Sequence, residues 1–171
     1  MLTALLFVPR CAGCIRLLWG RAVICRLGLP LTALAHTALA AAIAVRVARG
    51  EALSELGGLL APDALGVLFL MLASLLFLAA SFYAVHYLRE EERIGEHTNI
   101  LDHGRFTNAP ERRFTACLCF FLGAMTLVTI TPHMGAQWVG LAATTLSSAQ
   151  LIYFHRTQSS LEATWQYLII C

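Results

Sequence analysis

Three long stretches of the chain contain no Asp, Glu, Lys or Arg, and they define its hydrophobic pattern. They cover residues 27–45, 64–88 and 114–155, which are 19, 25 and 42 residues long. Twenty-five residues form a helix of about 37 Å, enough to cross the roughly 30 Å of bilayer hydrocarbon. The longest stretch suits two spans, with a turn at 131–135, where Pro132 and Gly135 favour a break. The pattern therefore predicts four membrane-spanning helices.

The two ends of the chain are less regular. Residues 2–19 can form a first helix, but it would hold two arginines, and an arginine at mid-membrane costs roughly 2.5–3.5 kcal/mol on insertion scales. Arg16 could reach an interface, whereas Arg10 could not, so whether this helix spans stays open. Residues 161–171 open a further helix that is too short to cross. The predicted fold is all-α, a polytopic transmembrane helical bundle of about five spans plus the start of a sixth, in a single membrane domain over 1–171.

Composition agrees with this prediction and excludes other classes of protein. Hydrophobic residues make up 58% of the chain and charged residues only 13%, against roughly 25% charged residues in a soluble domain. A soluble globule and a disordered chain are both excluded by these values. The net charge of +2 gives no basic field for nucleic acid, so the lipid bilayer is the expected partner and nucleic acid is not.

The twelve arginines, the only Lys or Arg residues in the chain, are distributed unevenly between the connecting segments. If the spans alternate, nine arginines lie on one side of the membrane, in 16–26, 89–113 and the link at 156, and two lie opposite, in the 46–63 loop. The positive-inside rule then places the 89–113 loop in the cytoplasm, and a bacterial inner membrane is the expected location. Its first part, 90–93, can extend the preceding helix by a turn. The rest is either a docking surface or a solvated loop.

Ionisable and hydroxyl side chains inside the spans are the candidates for function. His36 and His86 are proton-path candidates, because ionisable groups within a membrane often belong to proton relays. Tyr83 and Tyr87 flank His86 and fit an aromatic belt equally well. A polar group in the middle of 136–155 either lines a proton path or holds helices together by hydrogen bonds; its members are Thr144, Thr145, Ser147, Ser148 and Gln150.

No metal site, cofactor or catalytic centre is predicted. Cys11 and Cys14 form a CxxC pair, but no second pair and no histidine at metal-ligand spacing accompany it. The acids and histidines of the 89–113 loop also lack a convincing ligand spacing.

Three segments together resemble one family. They are FYAVHYLREEE at 82–92, WVGLAATTLSSAQLIYFHR at 138–156 and SLEATWQYLIIC at 160–171. They are similar to the antiporter-like, proton-conducting membrane subunits of complex I and of group 4 membrane-bound hydrogenases, of the hydrogenase-4 or formate hydrogenlyase type. The resemblance covers about 62–171, the amino-terminal portion of that fold. It implies a membrane subunit of a proton-translocating oxidoreductase complex, with other membrane subunits of a respiratory or hydrogenase complex as partners.

One departure from the family weakens the expectation of proton pumping by this chain alone. The family carries a proton-moving glutamate directly before the ATTL-like run, and that position is Ala142 here. An alanine cannot hold a proton, and a neighbouring threonine does not replace a carboxylate near neutral pH. The resemblance therefore implies a short, structural or catalytically incomplete subunit. An active transporter completed by other chains, and an unrelated small membrane protein or assembly factor without transport activity, remain as alternatives.

Overall fold

The architecture is that of a helical bundle. A computed structural model describes residues 1–19, 22–94, 109–153 and 158–171. Six α-helices follow one another: α1 Leu2–Trp19, α2 Ala22–Ala48, α3 Ala64–Ile94, α4 Ala109–Ile130, α5 Met134–Ile152 and α6 Gln158–Ile170, with a short 3-10 turn at Leu56–Gly58. No strand occurs within these ranges. The all-α prediction is confirmed.

Within the described residues, three helices are long and apolar enough to cross a membrane. Their spanning segments are Leu27–Ala48, Ala64–Glu90 and Arg112–Ile130. The first two begin where the predicted stretches begin, and the third begins two residues before its stretch. The count of about five spans is not confirmed. α5 has 19 residues but carries the Thr, Ser and Gln residues that lower its hydropathy, and α1 has 18 residues and holds two arginines.

The helix ends agree with the sequence pattern where the structure describes them. α4 ends at Ile130 and α5 begins at Met134, so the turn lies where Pro132 falls. α3 continues to Ile94, which confirms the predicted extension over 90–93. The rest of the 89–113 loop, from 95 to 108, lies outside the described residues, as do Arg21 and the link at 156. The cytoplasmic side of the loop stays a prediction.

The bundle is organised around α4, which contacts α1, α2, α3 and α5, while α2 also packs along α3. Two groups of buried apolar side chains fill it. The first apolar cluster comprises Leu2, Leu5, Ala40, Ile43, Leu60, Val67, Leu70 and Ile130. The second apolar cluster comprises Leu29, Ala33, Phe77, Ala84, Cys119 and Leu122. Along α2, α3 and α4 the two clusters occupy successive turns, so residues between them lie deep in the bundle.

The loop between α2 and α3 closes the end of the bundle at the first apolar cluster. Leu60 is fully buried there, and the N–H of Ala61 donates to the carbonyl of Ile130 at 3.0 Å. Glu55 reaches the start of α1, where its carboxylate accepts hydrogen bonds from the backbone N–H groups of Leu2 at 3.1 Å and Thr3 at 2.9 Å. The first N–H groups of a helix have no partner within it, so this carboxylate caps α1 from a distant loop.

Candidate functional site

A buried histidine joins three helices between the two apolar clusters. His36 on α2 is 1% exposed. Its Nε2 lies 2.9 Å from the hydroxyl of Thr126 on α4, and its Nδ1 lies 3.0 Å from the hydroxyl of Ser74 on α3. Ser74 and Thr126 are each 1% exposed as well. We call these three residues the histidine centre.

Each hydroxyl of the histidine centre has a second partner on its own helix. Ser74 Oγ lies 2.7 Å from the carbonyl oxygen of Leu70, and Thr126 Oγ1 lies 2.7 Å from that of Leu122. Such bonds to a carbonyl four residues earlier are common for Ser and Thr within helices. They fix both oxygens facing the imidazole, so the ring has a hydroxyl on each nitrogen.

The position of the histidine centre follows from helical periodicity. On α2, His36 falls between Ala33 of the second apolar cluster and Ala40 of the first. Ser74 stands one turn beyond Leu70 on α3, and Thr126 stands one turn beyond Leu122 on α4. Residues three and four apart share a face of a helix, so each polar residue lies on the buried face of its own helix.

A buried arginine forms a second polar group one turn away. Arg16 on α1 is 4% exposed, and its guanidinium donates to the sulfur of Cys119 on α4 and to the hydroxyl of Thr32 on α2, the latter at 3.2 Å. Thr32 precedes His36 by four residues, which is about 6 Å along α2. The side chain of Arg16 turns into the bundle near the first turns of the Leu27–Ala48 segment, and its reach to an interface stays a prediction. Gly28 leaves the space: a Cβ there would lie 2.9 Å from Arg16 Nη2.

A cavity lies between α3 and α4; Ala73 and Met125, the chain neighbours of Ser74 and Thr126, line it, whereas the three residues of the histidine centre do not. It has a volume of about 570 Å³, and its polar lining includes Asp63, Thr129, Thr131 and Gln137. Thr129 also donates through its hydroxyl to the carbonyl oxygen of Thr126 at 2.9 Å. The rest of the lining is mainly apolar and includes Leu65, Phe69 and Leu72 on the exposed face of α3.

The structure does not bring the other predicted residues to His36. His86 is exposed on α3, twelve residues or about 18 Å beyond Ser74. The hydroxyls of Thr144 and Thr145 donate to the carbonyl of Leu141 at 2.7 and 3.0 Å, and that of Ser147 donates to the carbonyl of Ala143 at 2.8 Å.

Ala142 and Ser148 are two further positions on α5 that the sequence singled out. Ala142 is exposed. Ser148 shares a hydrogen bond of 2.8 Å with the hydroxyl of Tyr167 on α6. A contact of this kind joins α5 to α6 and is typical of helix–helix association in a membrane.

Sequence reasoning missed Ser74 and Thr126. Single hydroxyl residues in apolar helices are common, and nothing in the one-dimensional pattern separates Ser74 from Ser81, which is also 1% exposed but donates to the carbonyl of Leu78. The available signal was the depth of His36, which is placed near the middle of its span and therefore needs partners on neighbouring helices.

Metal ligation finds no support in the part of the chain that the structure describes. There, no three His, Cys, Asp or Glu residues come together as a metal site would require. Cys11 and Cys14 are free thiols exposed on α1.

Comparison with known proteins gives a partial match to the family suggested by the sequence. The chain is 27% identical over 109 residues, 63% of its length, to a protein of Methylacidiphilum infernorum named Hydrogenase-4 component F homolog. It spans about a fifth of the length of that curated relative, 21%. No family model and no solved structure matches the chain. The name of this relative agrees loosely with the family that the sequence resembles.

Proposed function

We propose that the chain is an integral-membrane component of a proton-translocating complex of the membrane-bound hydrogenase or complex I type. Three apolar helices suited to lipid and the similarity to a hydrogenase-4 component homologue support this assignment. They do not favour the alternative of an unrelated small membrane protein or assembly factor. The partners are other membrane subunits of the same complex.

We further propose that the contribution of this chain to proton movement is made at His36 rather than on α5. The observation that carries the proposal is the position of His36, buried between two apolar clusters with a hydroxyl on each ring nitrogen. Ionisable groups in the interior of a membrane helix are costly and usually serve transport. On α5, Ala142 provides no titratable group, and Thr144, Thr145 and Ser147 are bonded within their own helix.

The assignment to a complex is tested by purifying a tagged full chain from its native membranes in mild detergent. Hydrogenase or quinone-oxidoreductase subunits are expected to copurify in fixed ratio. A chain that is stable and monodisperse alone under these conditions would contradict the proposal.

The role of His36 is tested in sealed vesicles that contain the complex. His36→Gln is expected to slow proton uptake during turnover, while His86→Gln, on the exposed face of α3, leaves it unchanged. Copurification of the other subunits with the His36→Gln chain shows that assembly is intact. Equal proton uptake by the two assembled variants would remove His36 from the path.

A further inference from the structure

We propose that the histidine centre is a two-way proton relay, in which His36 adopts either neutral tautomer and passes a proton between Thr126 on α4 and Ser74 on α3. The inference deepens the proposed function and rests on it only for the claim that the proton belongs to transport. Its physical basis is the number of protons available to the contacts around the ring.

Four contacts form one line across the bundle. They join the Leu70 carbonyl to Ser74 at 2.7 Å, Ser74 to Nδ1 at 3.0 Å, Nε2 to Thr126 at 2.9 Å, and Thr126 to the Leu122 carbonyl at 2.7 Å. Each hydroxyl has one proton to donate, and a neutral imidazole has one N–H. Three protons therefore serve four contacts, and one contact is always without a proton.

The two tautomers of His36 make the same number of hydrogen bonds. With the proton on Nδ1, the ring donates to Ser74, Ser74 donates to the Leu70 carbonyl, and Thr126 donates either to Nε2 or to its own helix. With the proton on Nε2, the ring donates to Thr126, and Thr126 donates to the Leu122 carbonyl. Ser74 then donates either to Nδ1 or to the Leu70 carbonyl of its own helix. Because the hydrogen-bond count is equal, the populations of the two tautomers are expected to lie within about tenfold of each other. A histidine held in a single tautomer usually has unlike groups on its two nitrogens, such as a carboxylate on one side.

The proposed transfer step moves one proton and changes no bond between heavy atoms. Thr126 gives its hydroxyl proton to Nε2 and takes another from a hydronium ion on the α4 side, which becomes water and leaves an imidazolium with all four contacts filled. The Nδ1 proton then passes to Ser74, whose own hydroxyl proton leaves to a second water. One proton enters from a hydronium ion and one leaves to water, which becomes hydronium; nothing is oxidised or reduced, and the ring ends neutral with its proton on Nε2. The same steps in reverse order carry a proton the other way.

Charged groups near the relay are few in the described structure. From α1, Arg16 faces the α2–α4 interface through Thr32, one turn from His36, and from α4 the thiol of Cys119 lies beside that arginine. Also from α1, Arg10 packs against α4 at Gly123, three residues before Thr126, where a Cβ would lie 3.5 Å from Arg10 Nε. Asp63 stands in the cavity lining. The hydroxyls are thus the groups in direct contact with the ring, and their removal should control its tautomer.

The relay is tested by nitrogen NMR of the full chain, labelled with ¹⁵N-histidine and reconstituted in lipid nanodiscs at neutral pH. The His36 signals are assigned by their loss in His36→Gln. In the unsubstituted chain both tautomers are expected, as two sets of signals or as averaged shifts. Ser74→Ala leaves Nδ1 without a donor or acceptor and should shift the population at least about tenfold toward the Nε2–H form. Thr126→Val should shift it as far toward the Nδ1–H form.

Matched control variants distinguish a specific change in the tautomer population of His36 from a general change in the packing of the bundle. Ser81→Ala removes another buried serine of α3, and Thr115→Val removes another buried threonine of α4; their hydroxyls donate to the carbonyls of Leu78 and Arg112 and not to the ring. Both controls should keep the original tautomer mixture. A single tautomer in the unsubstituted chain, or a shift in the same direction in Ser74→Ala and Thr126→Val, would overturn the relay. The measurement needs neither partners nor turnover, so its failure is distinct from a failure of the chain to join a hydrogenase-type complex.

Discussion

Gly66 lies so close to Thr129 that a methyl group on its Cα would collide with the Thr129 backbone carbonyl oxygen. The contact joins the first turn of α3 to the last turn of α4, and the N–H of Gly66 also donates to the carboxylate of Asp63 at 2.7 Å. The collision would be with backbone, which cannot rotate away as a side chain can. The absence of a Cβ at Gly66 therefore sets how closely these two helices approach beside the cavity.

Gly66→Ala is expected to destabilise the bundle by about 1–3 kcal/mol, the usual cost of overpacking a tight contact. For a chain of this size the loss corresponds to a fall of roughly 2–4 °C in the unfolding midpoint per kcal/mol. The measurement is thermal unfolding in detergent micelles. Gly135→Ala is the control, because a Cβ there meets no atom within 4 Å. Equal midpoints for the two variants would show that α3 and α4 do not approach this closely.

The pairing of Gly28 with Arg16 gives a second prediction. A Cβ at Gly28 would lie 2.9 Å from Nη2 and 3.2 Å from Nε of Arg16, so Gly28→Ala should displace the guanidinium from Thr32 and Cys119. Leaving its buried donors unsatisfied costs on the order of 1–3 kcal/mol. The test is a double-mutant cycle of unfolding free energies, in which Gly28→Ala is measured alone and together with Arg16→Met.

In the Arg16→Met background, Gly28→Ala should have little effect on the free energy of unfolding. The reason is that the thioether of Met is smaller and more flexible than the guanidinium of Arg16. The interaction free energy of the cycle should then be about 1 kcal/mol or more. Strict additivity of the two substitutions would mean that Arg16 does not occupy the space beside Gly28.

The lowered pKa of Glu55 predicts how the free energy of unfolding changes with pH. Hydrogen bonds from the amino group of Met1 and the backbone N–H of Thr3 lower the pKa of Glu55 from 4.5 to about 2. A carboxyl group whose pKa is lower in the folded state stabilises the fold above its unfolded pKa, and this contribution is lost as the pH falls through the folded pKa. The loss should therefore occur between about pH 4.5 and 2.

Glu55→Gln should remove this part of the pH dependence and lower the stability near neutral pH, where the cap of α1 is weakened. The measurement is the unfolding midpoint in detergent as a function of pH. Glu51→Gln is the matched control, because Glu51 pairs with Arg46 in an exposed ion pair, which contributes little. If the two variants have the same pH profile, Glu55 does not hold α1 as described.

The helices could be predicted from the sequence, whereas the partners of His36 could not. Uncharged runs and the turn at Pro132 depend on local composition, and local composition is what a single sequence reports. The meeting of Ser74 and Thr126 at His36 depends on which faces of α2, α3 and α4 pack together, and both hydroxyls also bond to their own helices.

The position of the Arg16 side chain could not be predicted from the sequence either. The cost of a charge in lipid favours an interface position, but space at Gly28 and polar groups on two neighbouring helices make an inward position available. Those groups are 12 to 103 residues away in the chain, as Gly28 and Cys119 show. No pattern within one helix reports such a site.

Restoring a carboxylate at Ala142 is expected not to restore proton translocation. Ala142 lies on the exposed face of α5, whereas the histidine centre is formed by α2, α3 and α4. On the prediction that 136–155 spans the membrane, a charged side chain near its centre costs about 2.5–3.5 kcal/mol on insertion scales, so Ala142→Glu should reduce the amount of chain in the membrane. The measurements are the membrane-inserted fraction and proton uptake by the assembled complex, normalised to that fraction.

Ala142→Gln is the control for size and polarity without charge, and it should insert better than Ala142→Glu at equal normalised proton uptake. A gain in proton uptake that is specific to Ala142→Glu would show that the exposed face of α5 still borders a proton path. Proton movement would then be assigned to a site that a neighbouring subunit completes, and His36 would lose its place as the point where this chain contributes.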